Sequence, residues 1–143
     1  MADQPPARRH AVAASDFSSL FTRLRSILQR HAGELTVADD TASCYCLEAN
    51  PGPATLSARK SNLKRAKIPV AWVQIGKTYV NYHLMGLGSG KKLLDGMSEK
   101  LRARMQGKTC FNFRTEDEKL FEELETLTAD SLLAIRQAKI IAD

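Results

Sequence analysis

Cysteine and tryptophan are scarce in this chain, with three Cys (Cys44, Cys46 and Cys110) and one Trp (Trp72) among 143 residues. An odd cysteine count argues against a disulfide framework. Residues 1–15 hold two prolines, Arg8, Arg9 and His10 but no apolar h-region, so no secretory leader is expected and a cytoplasmic location is. Long apolar runs are lacking too. The longest candidate, Leu132 to Ala142, is interrupted by Arg136 and Lys139 and falls far short of the roughly 20 residues that span a bilayer, so no membrane partner is expected. No internal repeat is present. A Walker A motif is missing: around Gly86-Leu87-Gly88-Ser89-Gly90-Lys91, Met85 stands where the first Gly is required and Lys92 where Ser or Thr is. There is no RNP, KH or zinc-finger signature, which argues against nucleic acid as the partner and leaves anion or nucleic-acid binding through the basic segments 59–67 and 86–92 as an alternative reading. Nor does any catalytic triad, dyad or cofactor motif stand out, so a non-enzymatic role is expected and the sequence names no cofactor.

What is present is an ordinary globular composition, 43% hydrophobic and 26% charged, in a chain long enough for one domain. Such a chain buries about two-thirds of its unfolded surface, enough for a core without staples. Residues 1–15 read as a disordered arm and 16–143 as one domain. Lys and Arg outnumber Asp and Glu by 21 to 16, a formal net charge of +5. The charges are segregated. Arg59, Lys60, Lys64, Arg65 and Lys67 form one acid-free run, and residues 91–108 are also basic. Residues 116–125 are acidic, with Lys119 alone against Glu116, Asp117, Glu118, Glu122, Glu123 and Glu125.

Periodicity predicts a first helix from an Asp16 N-cap to Gly33, with Phe17, Leu20, Phe21, Leu24, Ile27 and Leu28 as its apolar stripe. Short extended runs follow at 34–38 and 43–49, a turn at Asn50-Pro51-Gly52-Pro53, and a further strand at Thr55–Ala58. Val70–Ile75 and Thr78–Leu84 read as a hairpin about Gly76-Lys77, a type II′ turn. That turn would oppose Val73 to Val80 and Ala71 to Tyr82 on a core face. The other face would pair Gln74 with Tyr79, Trp72 with Asn81 and Val70 with His83. Leu93, Leu94, Met97, Leu101 and Met105 form a helical stripe, with Ser98 capping a second segment and Gly107 closing it. Thr109–Phe113 alternates as a strand. Thr115-Glu116-Asp117-Glu118 fits a capping box for a last helix, with a kink or a new helix at Thr128–Ser131 and Leu132, Leu133 and Ile135 buried. Consecutive strands joined by tight turns imply an α+β domain, a mostly antiparallel sheet with helices packed on it.

The stretch Ile75-Gly76-Lys77-Thr78-Tyr79-Val80-Asn81-Tyr82-His83-Leu84 resembles the YdhG-like proteins, a bacterial family of unknown function. Leu94-Asp95-Gly96-Met97-Ser98 and Met105-Gln106-Gly107-Lys108-Thr109-Cys110-Phe111-Asn112-Phe113 strengthen the likeness. The resemblance implies a compact α+β fold and no particular reaction. Some relatives are described as frataxin-like iron chaperones, a role resting on exposed acids, for which only residues 116–125 could serve here.

Three constellations carry chemistry. Trp72, Gln74, Tyr79, Asn81 and His83, joined by Cys110 and Asn112 if strand 109–113 pairs nearby, make a face suited to an unknown small molecule or a protein partner. The bland alternative is a helix covering that face. Cys44 and Cys46, two apart on a strand, could join His83 and Cys110 as metal ligands, against the reading of cysteines as small buried hydrophobes. Gly88, Gly90, Lys91 and Lys92 could receive an anion, against the reading of a flexible connector.

Overall fold

Alternation of apolar and polar residues from 68 to 84 and from 110 to 113 builds a sheet with one sealed face. The computed structural model describes residues 8–33, 35–59, 66–89 and 91–142. Its elements are α1 (Arg8–Arg30), β1 (Thr36–Asp40), β2 (Cys44–Ala49), α2 (Pro53–Ala58), β3 (Ile68–Ile75) and β4 (Val80–Leu84). A 3-10 segment (Met85–Ser89) then leads into α3 (Lys91–Asp95), α4 (Glu99–Arg102), β5 (Met105–Gln106), β6 (Cys110–Phe113) and α5 (Glu118–Gln137). The strands form one six-stranded sheet in the order β1-β2-β3-β4-β6-β5, every neighbouring pair antiparallel. The fold is α+β, as the sequence implies.

One face of the sheet carries Tyr45, Leu47, Ala71, Val73, Val80, Tyr82, Leu84, Phe111 and Phe113, all buried. Helices α1 and α5 pack on it. Of the expected stripe of α1, Leu20, Phe21, Leu24, Ile27 and Leu28 are at most 2% exposed, and Phe17 is half-buried. Phe121 of α5 meets Phe113 edge to face, with ring centroids 5.3 Å apart. No new helix begins at Thr128–Ser131: α5 runs through the stretch, with Thr128 and Ser131 on its buried side. Thr128 donates to the Leu124 carbonyl at 2.8 Å, so the Tyr82 hydroxyl, 2.6 Å away, donates to Thr128. At Ser131 the helix meets Gly86 so closely that a Cβ there would lie 2.3 Å from both the carbonyl oxygen and Oγ of Ser131.

Several expectations are corrected. Helix α1 starts at Arg8, not at an Asp16 cap, continuing into an Ala-rich stretch of high helix propensity. Thr55–Ala58 belongs to α2, with Pro53 in its first turn, where a missing N–H costs nothing. The β3–β4 turn spans Gly76 to Tyr79, closed by the Gly76 N–H on the Tyr79 carbonyl at 2.8 Å, and Gly76 lacks the positive φ of a type II′ turn. The register therefore moves by two: Val73 opposes Tyr82, Ala71 opposes Leu84 and Trp72 opposes His83. Val70 leaves the polar face for a bulge opposite Leu47/Glu48 and is fully buried. The stripe at 93–105 divides into α3, α4 and β5, with Ser98 capping α4 as expected and Gly107, at φ 77°, turning β5 into β6. Asp117, not Thr115, caps α5, accepting from the Leu120 N–H. Leu133 is 51% exposed.

Residues 139–142 clasp the turn after β2. Gly52 N–H donates to Ile140 O, Ala54 N–H to Lys139 O and Ala142 N–H to Asn50 O, all within 2.9 Å. Gly52 is required there, since a Cβ would come 2.4 Å from the Lys139 carbonyl.

Candidate functional site

No described helix covers the other face of the sheet. Gln74 is exposed, and Trp72, Asn81, His83, Cys110 and Asn112 are half-buried. Register lays these residues out in rungs about 4.8 Å per strand. Cys46 lies opposite Trp72, Trp72 opposite His83, His83 opposite Cys110, and Cys110 opposite Gln106. The next rung runs Cys44, Gln74, Asn81 and Asn112. Six of the seven residues expected on this face share it. The seventh, Tyr79, belongs to the β3–β4 turn rather than to the strand.

The Trp72 and His83 rings stack at 3.7 Å between centroids and 8° between planes. His83 Nδ1 lies 2.9 Å from Cys110 Sγ and 3.3 Å from Thr109 Oγ1. On the tautomer with its proton on Nε2, Nδ1 accepts from both the Cys110 thiol and the Thr109 hydroxyl. Burial pushes the His83 pKa below its ordinary value, which favours this neutral form. Asn81 donates through Nδ2 to Asn112 Oδ1 at 3.0 Å. The Trp72 indole N–H and His83 Nε2 have no hydrogen-bond partner among the described residues, and neither is a buried atom. The face thus offers an aromatic platform with the Trp72 indole N–H and His83 Nε2 free of protein partners among the described residues.

His83 Nδ1 lies within hydrogen-bond reach of the Cys110 thiol, while burial disfavours the imidazolium that would stabilise a thiolate beside it. The metal candidates are not brought together. Cys44 and Cys46 lie on β2, His83 and Cys110 on β4 and β6, and Trp72 of β3 stands between the two sets. Among the described residues no group of three or more His, Cys, Asp or Glu could hold a metal ion. Burial, reinforced by Glu48, pushes the Cys46 thiol up to about 11 and also raises Cys44, away from the thiolate a metal requires.

The acidic run serves the helix layer. Glu118 takes a forked hydrogen bond from Arg23, Glu125 an ion pair at 2.7 Å from Arg30, and Glu123 both the N–H and hydroxyl of Ser98. The Arg23 contact holds the Glu118 carboxyl below its usual range. In the glycine segment, Gly86 is spent on packing against Ser131, and Gly90 and the side chain of Lys91 lie outside the described residues. Lys92 borders a cleft of about 260 Å³ shared with Glu123 and Asp130, which an anion would have to face. Of the basic run 59–67, residues 60–65 also lie outside the described residues. Lys67 donates to Thr36 Oγ1 at 2.7 Å.

A cleft at the β5 end of the uncovered face, about 320 Å³, is lined by Tyr79, Arg104, Gln106, Asn112 and Arg114 among others. The two arginines were not among the residues singled out from the sequence. Carrying the alternation of Cys110 and Asn112 one step further would have placed Arg114 on the same side. No family model, curated protein or solved structure matches this chain.

Proposed function

We propose that this chain is a cytoplasmic, non-catalytic binding module that receives a small planar ligand on the uncovered face of its sheet. The observation that carries the reading is the half-buried Trp72–His83 stack at the middle of the sheet, with the Trp72 indole N–H and His83 Nε2 unpartnered among the described residues. A platform of this kind gains from stacking, and its N–H donors orient the ligand. The resemblance to YdhG-like proteins agrees with a compact α+β domain and leaves the ligand open. An iron-handling role of the frataxin type gains no support from the acidic run, in which Glu116, Glu118 and Glu125 are engaged by α1 and Glu123 by Ser98.

Trp72 is the single tryptophan, so its emission reports this face alone. Titration with neutral planar probes, adenine and nicotinamide, is expected to give a saturable change in that emission. His83→Ala should weaken it at least fivefold while moving the melting temperature by less than about 3 °C. No response to either probe, or a loss of stability matching the loss of binding, would return these residues to a packing role. Native mass spectrometry of freshly purified protein then shows whether a ligand mass is carried and released on denaturation.

A further inference from the structure

We infer that the cleft at the β5 end of the uncovered face is a binding site for a small oxyanion, a carboxylate or a phosphate monoester, gripped between Arg104 and Arg114. Their convergence is set by the backbone. The Asn112 N–H donates to the Arg104 carbonyl at 2.8 Å, which puts Arg104 opposite Asn112 across the β5–β6 turn. Arg114 follows Asn112 by two residues, the strand repeat that returns a side chain to the same face. Val80 opposes Phe113, so the preceding residue, Tyr79, comes beside Arg114. All of them line the one cleft.

The charge balance of the cleft points to an anion. No Asp or Glu lines it. Arg23, Arg25 and Arg30 of α1 are each paired with a carboxylate, whereas neither Arg104 nor Arg114 has an ion-pair partner among the described residues. The neutral groups present donors as well. Asn112 Oδ1 already accepts from Asn81, which leaves the Asn112 amide N–H groups for a ligand. The Gln106 amide and the Tyr79 hydroxyl add further donors. Two guanidinium forks among neutral donors suit the planar oxygens of a carboxylate or phosphate. The volume, about 320 Å³, suits a small molecule.

This site is independent of the ring platform, although the two lie on neighbouring rungs. Asn112 is two residues from Cys110, roughly 7 Å along the strand. One molecule bearing a ring and an anionic group could therefore occupy both.

The test follows the Arg104 and Arg114 Nε–H and Asn112 side-chain amide resonances of ¹⁵N-labelled protein during titration with inorganic phosphate, acetate and phenyl phosphate. Saturable shifts confined to these groups are expected. The double variant Arg104→Gln/Arg114→Gln should bind each anion at least tenfold more weakly. Lys108→Gln, an exposed cation outside the cleft, should stay within twofold of the unaltered protein. No saturable shift, or an equal loss in Lys108→Gln, overturns the site. So does an oligonucleotide that binds more tightly than phenyl phosphate with a steep salt dependence, which would assign the cations to nucleic acid. Phosphate shifts without a Trp72 response to adenine or nicotinamide would keep this site and remove the ring platform, while the reverse pattern would remove this site alone.

Discussion

The two faces of the sheet are made by the same strands, yet they solve opposite problems. Towards the helices, Val73, Tyr82 and Phe111 stand on one rung, each fully buried, and the one polar atom among them, the Tyr82 hydroxyl, is answered by Thr128. On the other side, Trp72, His83 and Cys110 stand on the adjacent rung. Their polar atoms are met only by neighbours on the same face or by solvent. A hydroxyl beneath α5 is a cost unless paired, while an indole N–H on the uncovered side is solvated at no such cost. On these two rungs polarity is paired on the sealed side and left to solvent on the other.

Substitutions can break this contrast or sharpen it. Phe111→Ala should have the largest effect, about 3–5 kcal/mol in urea unfolding, because it empties a site sealed from both helices. Gly86→Ala should follow, at about 1–3 kcal/mol, since its Cβ would press on the backbone carbonyl of α5 as well as on the Ser131 hydroxyl. Tyr82→Phe removes one buried hydrogen bond but leaves Thr128 its own bond to Leu124, for about 1 kcal/mol. Trp72→Ala, on the other side, should cost less than about 1.5 kcal/mol, little more than the ring contact it loses. A Trp72→Ala cost equal to that of Phe111→Ala would mean the second face is sealed after all, and the contrast would collapse.

The smallest expected effect is a dependence on pH. His83 has its folded pKa lowered by burial, so the unfolded chain binds the proton more readily. Its contribution to stability is present above the ordinary imidazole value of about 6.5 and is lost as pH falls through the folded pKa. Between about pH 7 and pH 5 the unaltered protein should therefore lose more melting temperature than His83→Gln does, the two being compared in one buffer series. Equal losses would show that the ring is hydrated as freely as in the unfolded chain.

Much of this was readable from residue pattern, and the failures have physical causes. The alternation of Ala71, Val73, Ile75 and of Val80, Tyr82, Leu84 identified the sealed face correctly, because a strand has a period of two. For the same reason alternation cannot detect a shift of two residues. Gly76-Lys77 resembles a tight turn, and the four-residue loop to Tyr79 moved each pairing by two without exchanging the faces. His83 thereby became the partner of Trp72, and Tyr79 moved to the cleft of Arg104 and Arg114. Thr128 and Ser131 interrupt the apolar stripe of α5 because they meet Tyr82 and Gly86, a tertiary fact that helix periodicity does not contain. The acidic run looked like a feature by itself. Its partners Arg23 and Arg30 lie 95 residues earlier in the chain, beyond the reach of any local pattern.

The clasp between residues 50–55 and 139–142 has a consequence for how the molecule opens. Thr55 Oγ1 and the Ile140 carbonyl meet at 2.6 Å across a separation of 85 residues. Contacts that distant form only when the intervening chain is in place. The Gly52 and Ala54 amides donate to carbonyls just past α5, so their protons can exchange with solvent only when that end of the helix lifts away. Two amides in a short connection thus act as sentinels for the seating of a 20-residue helix.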